Sequence, residues 1–102
     1  MEIINAQKLN ELYGSEQTAL EILKMFSERS HILIEEISVA LDEKDTAMLS
    51  RICHKGVGQA RYIAAPILEE TLRKIEAAYW SEKHQHLISL KAIISDINNA
   101  YQ

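Results

Sequence analysis

Between positions 20 and 41 the residues Leu20, Leu23, Phe26, Ser30, Ile34, Ile37 and Leu41 fall three or four apart, and Ser30 alone among them is polar. That period lines them along one stripe of an α-helix and along no single face of a strand. The pattern returns three times: at Leu49, Ile52, Gly56, Ala60 and Ile63, at Leu68, Leu72, Ile75 and Tyr79, and at Leu87, Leu90, Ile94, Ile97 and Tyr101. A helix with one apolar stripe must bury it against another element. The chain has 102 residues, only three Gly and only Pro66 as proline, too few turn residues for an all-β fold. We therefore expect an all-α fold: an antiparallel up-down four-helix bundle with a short extra N-terminal helix, in one domain spanning 1–102.

Local signals place the helix ends. The extra helix runs from roughly Ala6 to Tyr13 and covers one end of the bundle. Ser15, after Gly14, has a hydroxyl suited to cap the first long helix, and Asp45 in "DEKD" suits the next, from about Thr46 to Ile63. Pro66 fits a first helical turn, where its missing N–H is not needed. Trp80, Ser81 and Glu82 mark the last break, with Ser81 as the expected cap. The expected interior holds Leu23, Phe26, Ile37, Leu41, Leu49, Ile52, Ile63, Leu72, Ile75, Leu90, Ile94 and Ile97.

Composition removes several classes of function. The formal net charge is −4 and no basic stripe occurs, so no nucleic-acid binding is expected. A single cysteine, Cys53, provides neither a disulfide framework nor a cysteine zinc site. No apolar run has the length of a membrane span, and "MEIINAQKLN" is polar where a signal peptide would be apolar. A cytoplasmic setting is expected, and the cytoplasmic end of a membrane-bound sensor would read the same way. The pair Glu28 and His31 forms one Glu-x-x-His, where a di-iron bundle needs two. His84 and His86 diverge by roughly 200° on a helix, so no metal site is expected. Cys53 is read as packing, and Glu35, Glu36, Glu69 and Glu70 as solvated faces.

The second long segment carries the candidate chemistry. On a helical wheel of roughly 100° per residue, His54 lies nearly opposite the cluster of Leu49, Ile52, Gly56, Ala60 and Ile63. Its side chain should point outward. Gly58 sits one turn on along the same face and leaves space above the ring, at a cost of roughly 1 kcal/mol against Ala. Arg51, Lys55 and Arg61 lie on or near that side, where cations can stabilise a phosphoryl group. An ordinary imidazole titrates near pH about 6.5 and is largely a neutral nucleophile at cytoplasmic pH. No metal site, phosphate loop or nucleotide motif accompanies it, so the chemistry must come from a partner.

The stretch "LSRICHKGVGQARYIAAPILEETLRKIE" resembles the core of histidine phosphotransfer (HPt) domains, and "LKMFSERSHILIEEISVALDEKDTAML" resembles the helix that precedes it. The resemblance covers most of the chain after Ser15. Cys53 takes the family's small position, His54 the phosphoacceptor position and Gly58 the glycine position. Ala60, Ile63 and Ala64 follow the later pattern. Two positions depart from it: Gly56 stands where the family has Leu, and Val57 where it has a Lys that helps hold the phosphoryl group.

The resemblance implies reversible transfer between receiver-domain aspartates and His54, with the ring Nε2 as nucleophile and Arg51, Lys55, Val57, Gly58 and Arg61 contacting phosphoryl or partner. It implies a monomeric stoichiometric carrier without kinase activity and without a cofactor of its own, Mg²⁺ being held by the receiver. Response-regulator receivers are the implied partners, and a hybrid sensor histidine kinase, of which this chain would be the C-terminal part, is a further one. A helical docking or adaptor module that is never phosphorylated is the alternative, and Val57 is its best support.

Overall fold

The computed structural model describes residues 3–101, the side chain of Tyr101 excepted. The expected place of Tyr101 on the last stripe therefore lies outside the described residues. Five helices follow one another: α1 (Ala6–Tyr13), α2 (Glu16–Glu43), α3 (Thr46–Tyr62), α4 (Pro66–Ala77) and α5 (Trp80–Tyr101). No strand occurs among the described residues.

Caps fix three of the starts. Asn5 Oδ1 accepts from the Lys8 N–H at 3.1 Å, Ser15 Oγ from the Thr18 N–H at 3.1 Å, and Asp45 Oδ1 from the Met48 N–H at 2.9 Å. Each satisfies a donor that the first turn leaves free. Pro66 opens α4 as expected. Ser81 does not cap α5. The helix begins at Trp80, two residues before a Ser81 cap would start it, and its first turn is closed by the Glu82 N–H on the Tyr79 carbonyl at 2.9 Å. Tyr79 is likewise not on the α4 stripe: α4 ends at Ala77, Ala78 is extended, and Tyr79 is 81% exposed in the link.

α2 packs on α3, α3 on α4, α4 on α5 and α5 back on α2, which closes a ring of four. Links of two or three residues join consecutive helices of this ring, so neighbours run antiparallel. All twelve expected interior residues are buried, and Leu33, Ala40 and Leu68 join them. Leu20 is exposed and Ile34 only half-buried. At about 1.5 Å per residue the 28-residue α2 is longer than the 17-residue α3. Its first turns therefore extend past the ring, where α1 provides the cover. Ser30, the interruption in the stripe, is buried. Its hydroxyl donates to the Ser27 carbonyl at 3.1 Å and accepts from Asn98 Nδ2 at 3.1 Å, a polar tie between α2 and α5. α1 is held by the Asn5 N–H on the Ala64 carbonyl and by the Tyr13 hydroxyl, which donates to the Tyr62 carbonyl.

The two glycines of α3 differ in purpose. A Cβ on Gly56 would meet Leu72 Cδ1 at 3.0 Å and Leu33 Cδ1 at 3.1 Å, so this glycine lets α2 and α4 approach closely. A Cβ on Gly58 would meet nothing within 4 Å. Gly56→Leu should lower stability by at least about 2 kcal/mol through overpacking. Gly58→Ala should raise it by up to about 1 kcal/mol through helix propensity. Chemical denaturation of both variants checks this pair, and a stable Gly56→Leu protein would show that the close approach is not required.

Candidate functional site

His54 stands on α3 with its side chain 73% exposed, on the face opposite the buried Ile52, Gly56 and Ala60. It borders an open recess between α3 and α4. Cys53, Val57, Gly58 and Arg61 line the recess from α3, and Leu72, Arg73 and Glu76 from α4. The ring meets a carboxylate there: His54 Nε2 lies 3.1 Å from Glu76 Oε2 and 3.2 Å from Oε1. Glu76 Oε2 is shielded from solvent and has no hydrogen bond of good geometry among the described residues. The imidazole nitrogen is thus its neighbouring polar group.

Of the residues singled out in the sequence, the recess gathers His54, Gly58 and Arg61. Val57 is at its wall but turned inward and buried, not at an exposed edge, because it shares the packed side of α3 with Cys53 and Ala60. Lys55 points to the other side, where its Nζ donates to both oxygens of Glu36 on α2 at 2.8 and 3.1 Å. Arg51 is exposed, outside the recess, with no ion pair among the described residues.

Arg73 and Glu76 escaped the sequence reading. Glu69, Arg73 and Glu76 follow one another at i, i+4 and i+7, one charged edge beside the buried Leu72 and Ile75. That edge is visible in the sequence; which helix it faces is not. Glu69 is no free solvated charge either. Arg61 Nε donates to its Oε1 at 3.1 Å, and Arg73 Nε and Nη2 donate to its Oε2 at 3.2 and 3.1 Å. The Arg61 hydrogen bond, helped by Arg73 and opposed by desolvation, holds the Glu69 carboxyl below the usual carboxylate range.

Below the recess, Lys83 of α5 is buried and donates to the Ile75 and Glu76 carbonyls at 2.6 and 2.7 Å. A cation at a helix C-terminus meets the free carbonyls and the negative end of the dipole. Desolvation lowers the Lys83 pKa, opposed by the charges of Cys53 and Glu76. No group of three metal-ligating side chains occurs among the described residues.

The site is thus an exposed imidazole on α3 beside an open recess with two arginines in its lining. The family model described as the Hpt domain matches residues 21–101, and the chain belongs to the Hpt domain family. Members of that family are phosphocarriers of two-component signalling and not enzymes, and they interact with receiver domains and histidine kinases. No match to this chain is found among curated proteins or among solved structures. No helix of the described residues is long and apolar enough to cross a membrane.

Cys53 is adjacent to His54 but chemically distinct. Burial pushes its thiol up to about 11, with a further push from the Glu76 charge and a partial offset from Lys83. Iodoacetamide at mildly alkaline pH should alkylate the native protein at least about a hundredfold more slowly than the unfolded chain, since the thiolate reacts. Equal rates by mass spectrometry would show the thiol to be open.

Proposed function

We propose that His54 accepts and returns a phosphoryl group as an intermediate between receiver-domain aspartates. The observation that carries this reading is the exposed ring beside a recess that Gly58 leaves open. In the transfer the Nε2 lone pair attacks phosphorus, the N–P bond forms, and the P–O bond of the aspartyl phosphate breaks with its electron pair going to the receiver carboxylate. The receiver brings the Mg²⁺ that neutralises charge on the moving group. The carrier provides position, and Arg61 and Arg73 provide donors at the rim. Lys55 and Arg51 act at longer range, as part of the positive edge of the docking surface.

Docking uses the outward face of α3. His54, Gly58 and Tyr62 follow one another at four-residue steps, and Tyr62 is 69% exposed. Around Tyr62 lie the exposed Leu12 of α1 and Met25 of α2. Apolar side chains grouped beside a reactive residue favour protein contact. The carrier acts as a monomer, in a cytoplasmic setting, in a relay that includes a hybrid sensor kinase. The adaptor reading draws on Val57, whose side chain carries no charge to the phosphoryl site.

A ³²P-phosphorylated receiver should pass label to the wild type, and His54→Gln should lose all of it while keeping the fold, because the ring makes no core contact. Gly58→Trp should cut the rate at least about tenfold by filling the approach, a loss of about 1.4 kcal/mol of transition-state stabilisation. Undiminished label on His54→Gln overturns the assignment; binding of receivers with no label on the wild type favours the adaptor.

A further inference from the structure

The Glu76 carboxylate has both oxygens within 3.2 Å of the ring nitrogen that would have to attack. An ionised carboxylate accepts hydrogen bonds and donates none. It therefore favours a proton on the nitrogen it touches, and the hydrogen bond at one ring nitrogen sets which tautomer is present. A protonated Nε2 has no lone pair for phosphorus. Once phosphorylated, the same nitrogen would carry a dianionic group against a carboxylate whose Oε2 is shielded from solvent. Both the entry of the phosphoryl group and its residence are opposed by one negative charge.

We propose that Glu76 is a positioning residue that masks Nε2 in the resting carrier and biases the phosphoryl group toward leaving. This rests on His54 being the acceptor. A docking partner or donor has to draw the ring away from Glu76 before transfer. The freed ring then gives up its Nε2 proton to solvent and takes one on Nδ1, which presents the Nε2 lone pair. In the reverse step the N–P electron pair returns to Nε2, which regains a proton from solvent and its contact with Glu76 while Nδ1 releases its own. In the resting carrier, where Nε2 is masked, the nearby cations are held by other partners. Arg61 and Arg73 are both engaged by Glu69, Lys55 by Glu36, and Lys83 lies beneath on the backbone carbonyls.

Potassium phosphoramidate, a small N–P donor that releases ammonia as the new N–P bond forms, tests this without a receiver. Glu76→Gln keeps the shape and removes the charge, and Glu76→Met removes it with a different side chain. Both should raise the initial rate of His54 phosphorylation roughly three- to tenfold, read by ³¹P NMR. In mildly alkaline solution the ¹⁵N ring spectrum of the wild type should place the proton on Nε2, with a hydrogen-bonded shift that Glu76→Met loses. Equal or slower labelling of the two variants overturns the inference and leaves His54 as acceptor. So does a wild-type ring with its proton on Nδ1, since Nε2 would then be unmasked, or a wild-type product phosphorylated on Nδ1, since the Glu76 contact would then activate the ring. No label on His54 in any of the three proteins sinks the acceptor assignment and this inference together.

Discussion

The close contact of α3 with Leu33 of α2 and Leu72 of α4, at Gly56, is the constraint on which the rest of the structure depends. It presses one face of α3 between two helices with no room for a side chain. Interiors packed to this density do not deform gradually. The opposite face of α3 is thereby fixed toward solvent, and His54 with it. The same approach brings the charged edge of α4 level with the ring, which places Arg73 and Glu76 at the recess. The departure from the family's Leu at this position is a packing matter: Leu72 and Leu33 occupy the volume that a larger residue would need.

The arginines at the rim are held lightly. Arg61 and Arg73 share Glu69, and both guanidinium side chains are more than half exposed. Exposed ion pairs of this kind contribute at most about 1 kcal/mol each. A guanidinium can therefore leave Glu69 for a phosphoryl oxygen at small cost, and a dianion draws it more strongly than a shared carboxylate does. This offers a physical substitute for the lysine that Val57 replaces. The buried Val57 contributes packing, and the cations that line the recess stand one turn further along α3 and on α4.

The bundle was legible because each helix carries its own period and its own caps. Ser15 and Asp45 act as caps, and the twelve interior residues named from periodicity are buried. Errors arose where the deciding contact is long-range. Ser81 looks like a cap in isolation, yet Lys83 takes up the last carbonyls of α4 and the helix starts two residues early. Leu20 fits the stripe, but in the first turns of α2 the covered side is the one that carries Ala19 and Leu23, and Leu20 stays outside it. At the site, exposure of His54 followed from its own helix. Arg73 and Glu76 did not, because pairing α4 with the His54 edge is a tertiary fact that no local pattern encodes.

The two partners in the His54–Glu76 contact are unequally free to move. The Glu76 carbonyl is tied to Lys83, its Oε2 is shielded, and its charge is felt by the buried Cys53 beside it. Turning that carboxylate outward would strip Lys83 of a nearby counter-charge in a place where desolvation already opposes its ammonium. His54 has no such ties; most of its side chain faces water. Rotating the imidazole about its own side-chain bonds crosses only ordinary rotamer barriers. The ring, and not the glutamate, is therefore the element that moves when the contact opens. A partner bound over Gly58 and Tyr62 would meet the ring from the open side, away from Glu76.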